Sequence, residues 1–423
     1  MSNSIPLAGK RFSITQIQRF RKHPLEQISY FSKSKGPIFR INLGIHKPIV
    51  ILEPNVISRI FLNHHNYPKS TLYKDIKIVL GEGLVTSIGE KWENQRKKIQ
   101  PVFRKNIIDG YQDIILNNSR TLIQKIKNKK TIDLESWMKK ISLNIILDIL
   151  FGEKEKSKYD FDNAINTIIE FSKLRTAMIF KLPLFFPNRS NRLFWSAKKT
   201  FSVAVKNLMD SSTYKLSDTM FSILNDFHKN DENQLEDELS TLIMAGHETV
   251  AHGLVWILCM LSDHPNVNEK LRKQILEKPD DSTYLNHVIN ETLRLMPPVP
   301  ILTRNVIKRE KVNEWTLPSR SLLFIPIYNF HRNEKFWDKA EEFIPERWSA
   351  PPPNIKNIFV PFASGSRKCI GDRLAFLELK IIIKELVKNF DIKKISCENI
   401  KTNPFVTLRP TNKIIVKTNY LKE

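Results

Sequence analysis

Apolar residues recur every three or four positions through most of the chain between about Pro54 and Pro297. This spacing is typical of helices that bury one face. Shorter stretches alternate apolar and polar residues between turn signals, which is typical of strands. The strand-like stretches are 38–44, 48–53, about 299–327, 406–408 and 414–416. The pattern therefore predicts a mostly α chain with a minor β portion at its start and after residue 297.

Three segments stand out within this pattern. Long helices are predicted from about Leu235 to Ser262 and from Asp372 to Phe390. The aromatic-rich stretch Phe171–Trp195 is broken by prolines and predicts a hydrophobic loop between two helices. The longest apolar run, Leu254–Leu261, is far shorter than the roughly 20 residues that span a bilayer. Met1–Tyr30 lacks the apolar core of a signal or anchor, so we expect no transmembrane segment.

The 423 residues contain no internal repeat or low-complexity linker, and we expect a single domain over residues 1–423. The three cysteines are Cys259, Cys369 and Cys397. An odd number without close pairs argues for a reducing compartment, so we expect a cytoplasmic protein. Cys259 falls in an apolar helical run and is expected in the core, whereas Cys397 lies in a polar stretch.

The formal net charge is +23, from 67 Lys and Arg against 44 Asp and Glu. Codon bias is the first explanation, because the chain is rich in Lys, Ile and Asn. Two others are a docking face for an acidic electron-transfer partner and contact of the basic segment 1–52 with an anionic membrane. No helix-turn-helix, zinc-finger or RNA-binding signature accompanies the charge, so nucleic-acid binding is not expected. The candidate docking residues are Arg96, Lys97, Lys98, Arg104, Lys105 and Lys368.

Cys369 lies in a motif that joins it to Phe362, Gly365, Arg367 and Gly371, in the pattern F-x-x-G-x-R-x-C-x-G. Glycines keep the backbone close to a partner and allow positive φ, and Arg367 supplies a cation that can meet a carboxylate. The cysteine comes just before a predicted helix, whose N-terminus favours thiolate over thiol. An axial thiolate for haem iron fits each of these features. A buried free cysteine in a turn is the alternative.

With this motif the sequence resembles the cytochrome P450 family of haem-thiolate monooxygenases, along nearly its full length. The resemblance implies that family's fold, with haem b between the long central helix and the loop that carries Cys369. It also implies O2, and NAD(P)H-derived electrons delivered by a separate ferredoxin or flavodoxin with its reductase. We expect a monomeric, soluble, bacterial-type member, with peripheral membrane contact at most.

A second motif, Ala245-Gly246-His247-Glu248-Thr249, lies in the predicted long helix. A glycine beside a threonine can open the helix hydrogen-bond ladder and leave room for a ligand. A hydroxyl backed by a carboxylate suits proton delivery. The resemblance assigns Ala245 and Gly246 to the haem, and proton delivery to Glu248 and Thr249. The alternative is that Thr249 bonds back to its own helix; His247 is expected to turn away from this face.

Two further motifs concern carboxylates. Trp92 and Arg96 lie four apart on a predicted helix and offer an indole N–H and a guanidinium on one face. The resemblance assigns Trp92, Arg96, Arg304 and Arg367 to the haem propionates. For Arg304, a surface cation in a strand is the alternative.

Glu291 and Arg294 put opposite charges on one helix face, three residues apart. The resemblance implies that Glu291, Arg294 and Arg347 form a buried ion network that braces the core. The loss of one partner from such a network costs about 3–5 kcal/mol.

The resemblance implies a hydrophobic small-molecule substrate that is hydroxylated or epoxidised. Fatty acids, terpenoids and similar molecules all fit the apolar stretches expected near the pocket. Two other functions stay open: a peroxygenase or hydroperoxide-rearranging enzyme of the same fold, and a non-catalytic haem- or ligand-binding protein. The presence of Glu248 and Thr249 disfavours both. The expected pocket stretches are about Leu72–Leu84, Phe171–Trp195, Leu242–Thr249, Val299–Leu302 and Asn403–Phe405.

Overall fold

The computed structural model describes residues 5–9, 13–44, 46–152, 161–177, 183–212, 219–228, 231–396, 400–404 and 406–421. Its α-helices are α1 Ile14–Lys22, α2 Pro24–Lys35, α3 Pro54–Leu62, α4 Tyr73–Leu80, α5 Gly89–Ile99, α6 Lys105–Asp109, α7 Gln112–Ile126, α8 Leu134–Phe151, α9 Phe161–Ala177, α10 Arg189–Ser212, α11 Met220–Phe227, α12 Glu232–Asp263, α13 Pro265–Glu277, α14 Thr283–Leu295, α15 Ile327–Phe330, α16 Ile355–Ile358 and α17 Asp372–Asn389. Its strands are β1 Leu7–Ala8, β2 Ile38–Ile41, β3 Ile49–Ile51, β4 Thr131–Asp133, β5 Leu302–Asn305, β6 Glu310–Val312, β7 Trp315–Leu317, β8 Leu322–Ile325, β9 Phe390–Lys394, β10 Thr402–Pro404, β11 Leu408–Pro410 and β12 Ile415–Tyr420. The mostly α prediction is confirmed.

The chain divides into two compact units. The first unit comprises Met1–Tyr73, Asn290–Cys369 and Thr402–Arg409. The second unit comprises Lys74–Ile289, Ile370–Lys401 and Pro410–Glu423. This division does not test whether the units form one domain, so the single domain expected from the sequence stays a prediction.

A five-stranded sheet forms the centre of the first unit, in the order β1-β2-β3-β8-β5. The predicted strand stretches 38–44 and 48–53 are confirmed and form a hairpin: β2 and β3 pair antiparallel, with Ile38 opposite Ile51. β8 runs parallel to β3 and antiparallel to β5, which sets Arg304 opposite Leu323. Phe39 and other apolar side chains of these strands are fully buried. The sheet therefore gives the first unit a rigid base for β5, the strand that carries Arg304.

Helix α12 forms the centre of the second unit and packs against α8, α10 and α17. It begins where the Asp231 side chain accepts the Gln234 amide at 3.0 Å, which satisfies one free N–H of the first turn. Within the described residues it is the one helix long and apolar enough to cross a membrane, but 78% of its most apolar window is buried in the protein. A helix buried to this extent has protein, not lipid, against most of its surface.

The loop predicted over Phe171–Trp195 is wrong at both ends, because 171–177 continue α9 and 189–195 begin α10. The other predicted elements agree with the structure within a few residues. α17 begins at Asp372, directly after Gly371, and ends at Asn389. The last strands begin at Leu408 and Ile415, one or two residues later than expected. Cys259 is buried in α12, as predicted. Cys397, Phe405 and residues 178–182 of the predicted loop lie outside the described residues.

Candidate active site

The residues predicted to serve the site are divided between the two units. The first unit carries Arg304, Phe362, Gly365, Arg367 and Cys369. The second unit carries Trp92, Arg96, Ala245, Gly246, Glu248, Thr249 and Gly371.

In the first unit, the loop that carries Cys369 is closed by its own backbone. The Cys369 amide donates to the Phe362 carbonyl at 2.9 Å, and the Lys368 amide donates to Gly365 at 3.1 Å. These bonds fix the two ends of the loop together. The Cys369 residue is exposed, and α17 starts three residues further on. The arrangement presents one sulfur at a fixed place instead of burying it in a core.

Gly365 allows this loop to lie directly on the end of α3. Its φ is +71°, a region that favours glycine. A Cβ at this position would lie 2.1 Å from the Phe61 carbonyl oxygen and 2.7 Å from its carbon. The absence of a side chain here is therefore a steric requirement of the loop.

Arg304 in β5 is buried, with 3% of its surface exposed, so the alternative of a surface cation is wrong. Its Nη1 donates to the Thr303 carbonyl at 2.8 Å, and its guanidinium lies over the Phe61 ring. Burial lowers the pKa of Arg304 below that of a free guanidinium, and the hydroxyl of Tyr73 partly offsets this effect. Among the described residues no carboxylate pairs with Arg304. A buried guanidinium without a carboxylate suits an anionic group of a ligand.

The ion network predicted around Glu291 is present in the first unit. Arg294 binds both carboxylate oxygens of Glu291 at 2.9 Å, and Arg347 donates to Glu291 at 2.9 Å. The indole of Trp348 donates to the same carboxylate at 3.0 Å. Glu291 and Arg294 are fully buried. The remaining Arg294 N–H groups reach three carbonyls, including that of Ala340 at 2.6 Å, so the cluster is saturated with hydrogen bonds.

In the second unit, α12 is buried along most of its length but is partly exposed at the predicted motif. Ala245 is exposed and Thr249 is half-buried, although Ile243 and Val250 beside them are buried. The Thr249 hydroxyl donates to the Ala245 carbonyl at 2.8 Å, which is the bond to its own helix that the sequence left open. Gly246 brings α12 close to α8, because a Cβ there would lie 3.2 Å from Ile146. At this point the helix therefore exposes small residues and one hydroxyl between buried apolar neighbours, and we call this place the opening of α12.

Glu248 and His247 are buried, unlike their neighbour Thr249. The Glu248 carboxylate lies 3.8 Å from Lys139 Nζ and 3.5 Å from His252 Nδ1. Both partners belong to a cluster that extends to Glu135 on α8. Sequence reasoning missed this cluster. The sequence shows only two pairs spaced i, i+4, Glu135 with Lys139 and Glu248 with His252. It does not show that the two pairs contact each other.

Trp92 and Arg96 lie one turn apart on α5; Trp92 is buried and Arg96 is half-buried. Carboxylates of α12 hold the loop before α5. Glu238 accepts the Leu84 amide at 2.9 Å and the Gln234 side-chain amide at 3.1 Å. Burial raises the pKa of Glu238 to about 7. This contact joins the loop before α5 to the central helix, and no sequence pattern predicts it, because Leu84 and Glu238 lie 154 residues apart.

Comparison with known proteins places these features in one family. The model of the family described as Cytochrome P450 matches residues 3–418. The chain is 28% identical to a cytokinin hydroxylase of Arabidopsis thaliana over 417 residues, 89% of this chain and 80% of that protein. It is 29% identical to cytochrome P450 4p1 of Drosophila melanogaster, over 84% of this chain and 79% of that protein. It is 28% identical to the chloroplastic protein LUTEIN DEFICIENT 5 of Arabidopsis thaliana, over 85% and 67%.

Proposed function

Since this chain belongs to the cytochrome P450 family and is a haem-thiolate monooxygenase that takes electrons from a redox partner, we propose that it hydroxylates or epoxidises a fatty acid, a terpenoid or a similar hydrophobic small molecule. The printed name of one relative, a cytokinin hydroxylase, supports hydroxylation as the type of reaction. The apolar stretches near the second motif support a hydrophobic substrate.

The residues of each unit fit a haem group. In the first unit, Arg304 is a buried cation without a carboxylate among the described residues, and Cys369 is an exposed sulfur on a closed loop. In the second unit, the small residues Ala245 and Gly246 and the hydroxyl of Thr249 form an opening on the central helix. When bound, the haem supplies iron that activates O2, and a thiolate ligand favours cleavage of the O–O bond.

We assign roles to these residues from their chemistry and from the family. Cys369 is the proposed iron ligand, and Phe362, Gly365 and Gly371 shape its loop. Four donors are proposed for the propionates, because an indole N–H and guanidinium groups suit carboxylates. These donors are Trp92, Arg96, Arg304 and Arg367. The exposed sulfur of Cys369, on a loop closed by its own backbone, is the observation that carries the proposal.

Glu248 and Thr249 are the proposed proton donors. The Thr249 hydroxyl lies at the opening of α12, where it can hold a proton beside a ligand. Glu248, the residue before it, is buried next to His252 and Lys139. For Glu248 to supply Thr249, its carboxylate has to rotate away from this buried cluster. The pair therefore combines a hydroxyl at the ligand side with a carboxylate on the protein side.

The type of redox partner, the oligomeric state and the location of the enzyme are also proposals. A net charge of +23 favours an acidic ferredoxin or flavodoxin with its reductase. A monomeric enzyme in the cytoplasm, with peripheral membrane contact through its basic first segment, is the form that we propose. Sedimentation of the purified protein with and without vesicles of anionic lipid tests the oligomeric state and the membrane contact together.

Two measurements test the proposed function. The reduced, CO-bound protein should give the red-shifted Soret band of a thiolate ligand, and Cys369→Ser should lose this band. With a redox partner and NAD(P)H, Thr249→Ala should form product roughly 100-fold more slowly, the low end of general-acid catalysis. Thr249→Ser keeps the hydroxyl and is the matched control. An unchanged band in Cys369→Ser would contradict the assignment of the ligand.

The same assays separate the other candidate functions. A peroxygenase or hydroperoxide-rearranging enzyme would turn over with peroxide or hydroperoxide alone and would not depend on Thr249. A haem-binding protein without catalysis would show the CO band and spin-state changes with ligands, but no product with any electron donor.

A further inference from the structure

Four side chains of α8 and α12 form a ring behind Glu248. Lys139 Nζ lies 2.8 Å from Glu135 and 3.8 Å from Glu248. On the other side, His252 Nε2 lies 3.3 Å from Glu135, and its Nδ1 lies 3.5 Å from the Glu248 carboxylate. Two carboxylates are therefore bridged twice, once by an ammonium group and once by an imidazole. All four residues belong to the second unit.

The ring runs from solvent to the interior. The Glu135 side chain is 21% exposed, the Glu248 side chain 4%, and the His252 side chain not at all. The charged groups that face His252 are Glu248 on α12 and Glu135 and Lys139 on α8. The ring is electrically neutral only when the imidazole carries its second proton. The imidazole of His252 therefore lies between an outer and an inner carboxylate, and its second proton sets the net charge of the ring.

We propose that Glu135 and His252 are the route by which protons from solvent reach Glu248, with Lys139 holding both carboxylates in register. This proposal rests on the proposed role of Glu248 and Thr249. Glu135, His252 and Lys139 act through Glu248, so they are positioning residues and not catalytic ones.

The transfer needs one proton and no other reactant. Glu135 takes a proton from water and passes it to His252 Nε2. His252 then releases the proton on Nδ1 to the Glu248 carboxylate, so the imidazole ends neutral and Glu248 ends protonated. In the resting arrangement Nδ1 lies 2.8 Å from the Glu248 backbone carbonyl. The 3.5 Å gap to the carboxylate is longer than a hydrogen bond by ~0.6 Å, which a rotation of Glu248 closes.

Glu135 passes the proton on instead of storing it. Burial alone would raise the pKa of Glu135, but the hydrogen bond to His252 and the charge of Lys139 hold this pKa at about 2. Lys139 is a poor carrier by comparison, since its third contact, to the Asn166 side-chain oxygen at 3.1 Å, fixes it as a donor. The histidine is the one member of the ring with two exchangeable sites that face both carboxylates.

The same ring could instead act only to fasten α8 to α12, and the two roles predict different measurements. A fastening role changes stability and leaves proton delivery unaffected. A proton route changes the solvent isotope effect on product formation and the fraction of electrons that end in product. The variants His252→Gln and Glu135→Gln remove titration with little change in size. Glu236→Gln is the matched control, because Glu236 lies on α12 like His252 but pairs with Lys206 of α10 at 3.4 Å, outside the ring.

With the haem-loaded protein, a redox partner and NAD(P)H, we expect product formation to fall about tenfold in His252→Gln and in Glu135→Gln, below the full effect of a general acid. The solvent isotope effect should rise and more electrons should end in peroxide or water. Substrate-induced spin-state changes and the CO band should stay as in the wild type. Glu135→Asp should restore part of the rate, and Glu236→Gln should behave as the wild type.

A second readout does not depend on turnover. In the diamagnetic, CO-bound protein with ¹³C-labelled histidine, the resonance of His252 is identified by its loss in His252→Gln. At one fixed pH its chemical shift should change in Glu135→Gln and should stay at the wild-type value in Glu236→Gln. The route is overturned if both ring variants keep the wild-type solvent isotope effect and the wild-type fraction of electrons that end in product. If His252→Gln does not fold, the result for Glu135→Gln decides the question. If Glu248→Gln and Thr249→Ala also leave both quantities unchanged, the proposed function of that pair fails as well.

Discussion

Two ionic clusters among the described residues differ in how tightly they are held. In the first unit, Arg294 and Arg347 bind Glu291 at 2.9 Å, and the carboxylate takes further donors from Trp348 and a backbone amide. In the ring of the second unit, three of the contacts between charged groups are 3.3–3.8 Å long, and the cations are Lys139 and His252. A guanidinium keeps its proton and binds in two fixed directions, whereas an imidazole exchanges its proton. The difference indicates that the charges of the first cluster are permanent, whereas the second cluster can gain or lose a proton.

The strongest test of this contrast is Glu291→Gln, which leaves the fully buried Arg294 and the partly buried Arg347 without a carboxylate. We expect the free energy of unfolding to fall by about 3–5 kcal/mol. The loss should persist at every pH where the protein is folded, because arginine cannot lose its proton. Urea unfolding followed by circular dichroism measures it. Glu277→Gln, in the exposed pair with Lys273, is the control and should change little; a loss in Glu291→Gln no larger than in this control would contradict a bracing role.

Glu238 sharpens the comparison, because it is a buried carboxyl held by amides and not by a cation in hydrogen-bond contact, as far as the described residues extend. Its pKa is raised from 4.5 to about 7 by burial. Between these values the folded protein binds more protons than the unfolded chain, so stability falls as pH rises from about 4.5 to about 7. The total effect is about 3 kcal/mol.

Glu238→Gln keeps an acceptor for Leu84 and removes the titration. The free energy of unfolding of the wild type should therefore decline relative to this variant across the same pH window, and the difference should stay constant above it. Chemical unfolding at a series of pH values measures both. Parallel curves for the two proteins would show that folding does not change the pKa of Glu238.

The smallest of the three effects concerns the ring. Lys139→Met removes the ammonium group between Glu135 and Glu248, and we expect a loss of about 2 kcal/mol at neutral pH, as for hydrogen bonds to charged groups. Acidification should restore part of it, because a carboxylate can shed its charge by taking a proton. This recovery is what the arginine cluster should lack. Equal pH profiles for Lys139→Met and Glu291→Gln would break the distinction between the two clusters.

The sequence predicted the fold where a local rule decides the structure. The bounds of α12 and α17 and the hairpin of β2 and β3 follow from the spacing of apolar residues. The closed loop of Cys369 follows a motif of fixed residues, and Glu291 and Arg294 lie three apart on one helix. In each case the partners are near in sequence, or the family motif names them.

The contacts that escaped prediction join segments that are distant in sequence. Glu135 and Lys139 meet Glu248 and His252 only because α8 packs against α12, and helical spacing gives the faces but not the partner. The burial of Arg304 was equally hidden, since an isolated arginine in a strand is most often at the surface. Which strands cover it depends on the order of the whole sheet.

Gly365 carries a consequence for the genetics of the protein. Any side chain at this position meets the main chain of Phe61, which no amino-acid change at residue 61 can remove. A selection for second-site suppressors of Gly365→Ala should therefore return reversions to glycine, and few or no compensating changes at neighbouring positions. The site therefore limits which sequences can descend from this one, and a lineage that loses the glycine recovers function only by regaining it.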